Sequence, residues 1–360
     1  MKKKLPDRVE RKAYFFIIIL IVILGLLLTA SISITLKKPI GSDFWFHLEI
    51  AKAYARGENA LFEERFMKPN MGPYPPLFHL FLVPFVILGI PVQFSSVLQV
   101  IFYPLALSTS IFLVYRKIGL GAAAFTSVML FSSVAFFDRS VQVIPQALDM
   151  IFFPMAVYFF LENRRLPFIC SMSVMIYSHG VFGILLLVPL LIYSLKFKTD
   201  IRMLRDVLVV VSPIIVLTAV FFPFYLASAS GGVQNPQEMY IAENPLFALL
   251  YIGLVPSTIF IFSVMYKISS DLKLDRMDVL LLVWFAALIP MILPYPDRFC
   301  TYAVVPMSIF SSKFLAEKLS FRKKYLVLVL LTILFIFSLQ SYFNWWGILM
   351  KQGVYLFDAR

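Results

Sequence analysis

An uncharged run of 23 residues, from Tyr14 to Leu36, constrains this chain more than any other feature of its sequence. As a helix, the run is long enough to cross the ~30 Å hydrocarbon core of a bilayer. The composition of the full 360-residue chain also fits a membrane protein, since 61% of the residues are hydrophobic and only 14% are charged. The run is too long for the apolar core of a signal peptide, and no small-residue cleavage site follows it. We therefore predict an integral membrane protein that retains this segment as an anchor.

Further apolar segments predict an all-α polytopic bundle of about eleven transmembrane helices. The predicted spans are approximately 14–36, 97–115, 118–137, 150–161, 166–178, 180–195, 207–227, 246–266, 279–293, 299–316 and 325–343. The apolar piece 75–90 begins with two prolines, so we predict a half-helix or interfacial helix within a large first external loop, 37–96.

The distribution of Lys and Arg predicts the orientation. With the N-terminus in the cytoplasm, the cytoplasmic pieces hold 21 Lys and Arg residues and the external pieces hold 10, as the positive-inside rule requires. This predicts a cytoplasmic basic tail (1–13), one membrane domain (14–343) and a short external tail (344–360) in the plasma membrane. The net charge of +12 is divided into short patches between apolar runs. We therefore expect no nucleic-acid partner.

Acidic residues and histidines collect in the predicted first external loop. Asp43 and His47 are four residues apart, so on a helix they share one face and could share a metal ion or a proton. The alternative is that Ser42 or Asp43 caps the following helix. A second histidine of this loop, His79, follows the Tyr-Pro-Pro segment.

Two more external segments carry charged candidates. The segment 138–149 holds Arg139 and Asp149, which could serve a site or could act only as an ion pair with Asp138 and as a helix cap. The loop 228–245 is rich in Gly, Asn and Pro, and its Glu243 could come from a lid over a site.

The remaining candidates lie at predicted helix ends. Arg298 begins a span, where it could snorkel, pair with Asp297 or bind a phosphate at the membrane surface. His179 falls at the external turn between two short spans, and ionisable groups at membrane depth are functional candidates. Carboxylates that converge on a hard divalent cation near an arginine would suit a phosphate leaving group.

The order of these motifs resembles the transmembrane part of the oligosaccharyltransferase catalytic-subunit family, within the GT-C superfamily of polyprenyl-phosphate-sugar glycosyltransferases. SDFWFHLEIAKAYARGE is similar to the first-loop motif of that family, and YPPLFHLF to its external partial helix. DRSVQVIPQALDMIFFP is similar to the second-loop segment, AENPLF to the flexible fifth external loop, and PDRFCTYAVVP to the segment whose Arg meets the lipid-linked phosphate.

The resemblance implies roles for individual residues. Asp43 would hold a divalent metal, Mn²⁺ or Mg²⁺, and polarise the acceptor, and Glu243 would complete that catalytic site. Asp149 is the nearest acid to the second metal-ligand pair of the family. Arg298, together with Arg139, would bind the phosphate of the lipid donor.

The sequence also departs from the family. The Asp-x-Glu positions fall on Gln146 and Leu148, and Asp149 is one residue away. We also expect no soluble C-terminal domain with the Trp-Trp-Asp-Tyr-Gly motif, because the pair Trp345–Trp346 lacks the Asp-Tyr and is more typical of an interfacial belt.

Together these observations predict a glycosyltransferase that moves a sugar or oligosaccharide from a polyprenyl (dolichyl) phosphate or diphosphate donor to an acceptor on the non-cytoplasmic face. The acceptor could be a glycan, a lipid or a protein, with or without a partner subunit. The main alternative is a non-catalytic binder or translocator of lipid-linked sugar with the same fold. A secondary transporter fits less well, because its binding charges should lie at broken helices near the bilayer midplane.

Overall fold

The computed structural model describes residues 8–36, 39, 41, 43–61, 74–199, 201–230, 245–270, 273–291, 296–319 and 329. Within this part of the chain every regular element is helical, which confirms the predicted all-α class. The helices are α1 (Arg8–Leu36), α2 (Asp43–Ala55), α3 (Leu77–Ile87), α4 (Pro91–Lys117), α5 (Leu120–Phe131), α6 (Val134–Val141), α7 (Pro145–Leu161), α8 (Arg165–Leu185), α9 (Leu187–Phe197), α10 (Arg202–Ser230), α11 (Pro245–Ile252), α12 (Leu254–Ser269), α13 (Arg276–Ala287) and α14 (Pro296–Lys318).

Several of these helices meet the requirements for crossing a bilayer. In the described residues, three are long and apolar enough: Glu10–Thr35, Pro91–Lys117 and Asp297–Lys318. A fourth is reached if α5 and α6 count as one span. The chain is therefore a multi-pass membrane protein. The count of eleven spans and the orientation stay predictions, and the predicted span 325–343 falls almost wholly outside the described residues, as does the external tail 344–360.

The uncharged run that predicts the first span forms α1. Its outward face is exposed, as Phe16 shows with 65% of its surface accessible, because lipid solvates apolar side chains. The other face packs against α4 and α5. Gly25 allows close approach to α4, since a Cβ there would lie 3.0 Å from the ring of Tyr103. Thr29 Oγ1 lies 3.0 Å from the Val100 carbonyl oxygen of α4, an interhelical contact of the kind that stabilises membrane helices.

The predicted straight span 118–137 is wrong as a single helix. The chain bends by 76° between α5 and α6. Ser132 follows α5, and Ser133 begins a new helix by accepting a hydrogen bond from the Phe136 backbone N–H at 3.3 Å. A serine that caps a helix competes with continuation of the preceding one. The bend turns α6 and its charged residues toward α14 and α11.

Two other features between α6 and α9 depend on local sequence. Ile144 is extended and Pro145 is the first residue of α7, because a proline favours an extended residue before it and fits the first helical turn. In α8 the helical dihedrals are interrupted at His179 and Gly180. The predicted boundary between the spans 166–178 and 180–195 therefore falls at a real break.

Helix α14 is the central helix of the bundle and contacts α5, α6, α11, α12 and α13. At its Lys318 end, a buried ion network joins it to α12 and α13. Asp278 accepts hydrogen bonds from Lys267 at 2.5 Å and from Lys313 at 2.7 Å. Lys313 also reaches Asp275, the N-cap of α13, at 2.5 Å. This network fixes one end of the bundle, while the sequence-predicted site residues lie elsewhere.

Candidate functional site

Arg139 of α6 is the centre of a buried charged cluster. Its guanidinium is only 6% exposed and binds the fully buried carboxylate of Asp297 at the start of α14. Asp138 Oδ2 lies 3.8 Å from Arg139 Nε, and Asp43 Oδ2 lies 3.7 Å from Arg139 Nη1. Burying an arginine is costly unless it is paired, and here three carboxylates from α2, α6 and α14 surround it.

Asp138 and Gln142 hold the turn between α6 and α7. Asp138 accepts hydrogen bonds from Gln142 Nε2 at 3.1 Å and from the Tyr251 hydroxyl of α11 at 2.7 Å. Gly41, just before α2, approaches the same turn. A Cβ at Gly41 would lie 2.4 Å from Gln142 Oε1, and its φ of +92° also favours glycine. The glycine thus allows the start of α2, and with it Asp43, to lie close to the turn.

A second cluster links α7, α8 and α14 through Asp149, His179 and Tyr302. Asp149 Oδ2 accepts hydrogen bonds from His179 Nδ1 and from the Tyr302 hydroxyl, both at 2.6 Å. Asp149 is fully buried, and its Oδ1 has no donor among the described residues. The possibility that Asp149 caps a helix is wrong, because α7 begins four residues earlier, at Pro145.

Arg298 lies beside both clusters. It is half-buried on α14, next to Asp297, and both Arg298 and Arg139 are near enough to act electrostatically on His179 and Tyr302. The Asp297 carboxylate, which the sequence offers as an ion-pair partner for Arg298, binds Arg139 from α6. Arg298 therefore brings a second guanidinium, with more solvent access than Arg139, to the same region.

His47 and His79 form a third cluster, between α2 and α3. His47 Nδ1 lies 2.9 Å from His79 Nε2, and both rings are buried. Burial, and then the charge of His47, lowers the pKa of His79 well below its ordinary value. His79 is therefore neutral at neutral pH, and one hydrogen bond between two imidazoles is available. This contact joins two residues that are 32 positions apart in the sequence, and the sharing of a proton or metal between Asp43 and His47 stays a prediction.

The structure thus brings most of the predicted site residues into two neighbouring clusters, one around Arg139 and one around Asp149, and a histidine pair between α2 and α3. Asp43 and Arg139 are in contact, and Asp149 and His179 are hydrogen-bonded. Glu243 lies outside the described residues, so its role stays a prediction. Sequence reasoning missed Tyr302, although this residue lies within the motif PDRFCTYAVVP that it singled out, and it missed Tyr251.

The described residues alone do not form a divalent-metal site. No group of three or more His, Cys, Asp or Glu side chains in this part of the chain is arranged to hold an ion. Asp43 is 44% exposed and faces Arg139, whereas one oxygen of Asp149 is engaged by His179 and Tyr302. The predicted Mn²⁺ or Mg²⁺ site would need Glu243 as well and stays a prediction.

Solved structures of similar fold identify the architecture. ArnT from Cupriavidus metallidurans bound to undecaprenyl phosphate superposes with a TM-score of 0.60 at 16% identity, over 84% of this chain. The apo state of the same protein gives a TM-score of 0.53 at 17% identity, over 85% of this chain. ArnT is a GT-C glycosyltransferase. The chain has the GT-C fold.

The likeness to ArnT concerns the fold, because the sequences are only distantly similar. The alignments cover 60% of the ArnT chain, so this chain spans less than two thirds of its length. No protein-family model matches the sequence, and no curated protein matches it closely enough to count as a relative. The fold that the GT-C resemblance implied is confirmed, and the narrower resemblance to oligosaccharyltransferase catalytic subunits stays a prediction.

Proposed function

We propose that the chain is a membrane glycosyltransferase that takes a sugar from a polyprenyl-phosphate-linked donor and transfers it to an acceptor. The observation that carries the proposal is the meeting of Arg139, Arg298, Asp43 and Asp297 at one place in a GT-C fold. The undecaprenyl phosphate bound by ArnT supports a polyprenyl donor. We further propose that the site acts on the non-cytoplasmic face, as the Lys and Arg distribution predicts.

In this proposal Arg298 binds the donor phosphate. Arg139 is already compensated by three carboxylates, so its attraction for another anion is reduced. Arg298 is half-buried, so it has more access to solvent and to a ligand than Arg139, and the neighbouring Asp297 carboxylate binds Arg139. A planar guanidinium can give a phosphate two parallel hydrogen bonds. Arg139 would then hold the three carboxylates in position, and Arg298 would bind the donor phosphate.

Asp43 is the carboxylate best placed to act on an acceptor. It is the most exposed of the three around Arg139, with 44% of its side chain accessible, whereas Asp138 and Asp297 are buried. An acceptor hydroxyl would give its proton to Asp43 while its oxygen forms a bond to the anomeric carbon. The bond from that carbon to the phosphate oxygen breaks, and the electron pair leaves with the phosphate, which Arg298 stabilises.

A non-catalytic binder or translocator of lipid-linked sugar is the second candidate. Gln146 favours it, because the resemblance places an acid there and the amide instead accepts a hydrogen bond from Arg139 at 3.5 Å. Transfer that depends on added Mn²⁺ or Mg²⁺, with donor present, would favour the enzyme. Binding of lipid-linked sugar without any transfer would favour the binder.

The test uses the full chain in lipid nanodiscs with radiolabelled undecaprenyl-phosphate-linked hexoses and pentoses and a membrane extract as acceptor source. We expect sugar transfer by the wild type and loss of transfer in Asp43→Ala. Arg298→Ala should bind undecaprenyl phosphate about 10- to 100-fold more weakly, because a hydrogen bond to a charged group contributes about 1.5–3 kcal/mol.

Arg165→Ala is the matched control. Its guanidinium is exposed and pairs with Asp206 at 2.5 Å, and it belongs to neither cluster, so both transfer and lipid binding should be unchanged. If Asp43→Ala and Arg298→Ala transfer sugar as well as the control does, the proposed function is wrong.

A further inference from the structure

The hydrogen-bonded pair His47–His79 has no part in the transfer step proposed above. We propose that these two histidines are positioning residues: their bond fixes α2 against α3 and thereby holds Asp43 beside Arg139. This inference rests on the proposed function, because it assigns the pair a task in the same site. It needs no contact between either histidine and a substrate.

Asp43 is not held in place by a close contact of its own. Its carboxylate is 3.7 Å from Arg139 Nη1, which is longer than a hydrogen bond, and the side chain is partly exposed. Among the described residues, Asp43 has no ionic partner nearer than Arg139. The position of Asp43 must therefore come from the packing of α2, of which it is the first residue.

Helix α2 packs mainly against α3, and α3 in turn contacts α4 and α8. His47 is one helical turn after Asp43, so the two side chains share the face that points toward the rest of the protein. The contact between His47 and His79 thus lies at the interface through which α2 is attached. Loss of that contact would let the whole first turn of α2 move.

Aromatic rings enclose the imidazole pair. The His47 ring makes edge contacts with three aromatic rings, with centroid separations of 5.0 Å to Tyr74, 5.5 Å to Phe78 and 5.6 Å to Phe46. With both imidazoles buried, water cannot easily replace a lost partner, and a buried polar group without a partner is costly. The pair therefore specifies one register of α2 on α3, which apolar packing alone would define less sharply.

The chemistry of the pair gives matched variants. A glutamine at position 79 can place an amide where Nε2 lies, and an asparagine at position 47 can place one where Nδ1 lies. His79→Gln and His47→Asn therefore retain a hydrogen bond across the interface. His79→Leu and His47→Leu fill most of the volume and remove the bond.

Sugar transfer from the same panel of undecaprenyl-phosphate-linked sugars tests the catalytic consequence. We expect His79→Leu to lower kcat on the order of 100-fold with little change in KM, since a misplacement of about 1 Å can cost this much. His79→Gln should restore most of kcat. The residual transfer rate of Asp43→Ala should not fall further when His79→Leu is added, because the two changes act through one group. Additive losses, or an unchanged kcat in His79→Leu, would overturn the proposal.

A distance measurement tests the same proposal without any activity. Spin labels at Glu49 on α2 and Gln93 on α4, both exposed, report how α2 sits on the bundle in a variant without other cysteines. His79→Leu should shift or broaden the distance distribution, and His79→Gln should not. If His79→Leu does not fold, His47→Leu tests the bond from the other side. An unchanged distance distribution in the Leu variants would refute the positioning role, whether or not the wild type transfers sugar. Absence of sugar transfer by the wild type would refute only the proposed function.

Discussion

Replacing Gly41 with alanine tests whether the start of α2 must lie against the turn between α6 and α7. Gly41 has a φ of +92°, and holding an L residue there costs about 1–3 kcal/mol. The added Cβ would also lie 2.4 Å from Gln142 Oε1 and 2.9 Å from Gln142 Cδ, whereas ordinary contact begins at 3.4 Å. One of the two partners must therefore move by about 1 Å, a displacement that can cost on the order of 100-fold in rate when it affects a reacting group.

Gln142 is poorly able to give way. It is 4% exposed, and its Nε2 donates to Asp138, which also accepts from Tyr251. The displacement should therefore fall on the backbone at Gly41 and carry Asp43, two residues later, away from Arg139. We expect Gly41→Ala to lower sugar transfer on the order of 100-fold, with weaker effects on the binding of undecaprenyl phosphate.

Gly57→Ala provides the control for backbone strain. Gly57 has a φ of +77°, but a Cβ there would meet nothing within 4 Å. Both variants should lose stability in thermal unfolding through backbone strain, Gly41→Ala the more because of its contact with Gln142, and only Gly41→Ala should lose activity. Equal activities in the two variants would refute the reasoning, because strain would then explain everything that Gly41→Ala does.

Two further predictions concern the ion network of α12, α13 and α14. Asp278→Ala removes the carboxylate that pairs with the buried Lys267, and we expect the free energy of unfolding to fall by about 3–5 kcal/mol. The Glu317 side chain is 39% exposed and lies 3.7 Å from Lys313, so Glu317→Ala should cost only about 0–1 kcal/mol. Similar losses in the two variants would contradict the prediction. Burial alone would raise the pKa of Asp275, but the hydrogen bonds from Lys313 and from the Asp278 backbone lower it below 3.8. A lowered folded pKa means that the carboxylate stabilises the protein well above pH 3.8 and that this contribution disappears as the pH falls through the folded pKa. Asp275→Asn should therefore lose less stability than the wild type over that acidic interval, and identical slopes would contradict this.

The fold class and part of the site could be predicted from the sequence. The GT-C resemblance rested on the order of motifs along the chain. Asp43 was chosen for its four-residue spacing to His47, and Arg139 and Arg298 because they lie in predicted external segments where a guanidinium could bind a phosphate. The partner of Asp297 was harder to predict, because Asp297 and Arg298 are neighbours in the sequence. Neighbouring residues on a helix do not face each other. Applied to α14, this rule predicts that the side chains of Asp297 and Arg298 point in different directions.

Other contacts had no signal in the sequence. His47 and His79 are separated by 32 residues, and their pairing depends on how α2 packs on α3. The 76° bend before α6 was missed because the segment 118–137 carries no charge and hydropathy does not register a change of direction, although the pair Ser132–Ser133 marks the place. Asp149 was expected near a helix end. The Ile-Pro pair at 144–145 shows in retrospect where α7 begins.

The bend between α5 and α6 has a consequence for the depth at which a ligand would bind. Helix α5 has 12 residues and is therefore about 18 Å long, which is less than the ~30 Å of the hydrocarbon core. Helix α5 begins just after the basic pair Arg116–Lys117. Because α6 is bent by 76° from α5, it extends only a little further along the axis of α5. With the predicted orientation, the proposed phosphate site at Arg298, beside α6, would lie below the headgroup layer, where a bound phosphate loses part of its hydration. We expect its binding to respond weakly to added salt, because mobile ions screen charges in water far better than charges within the bilayer.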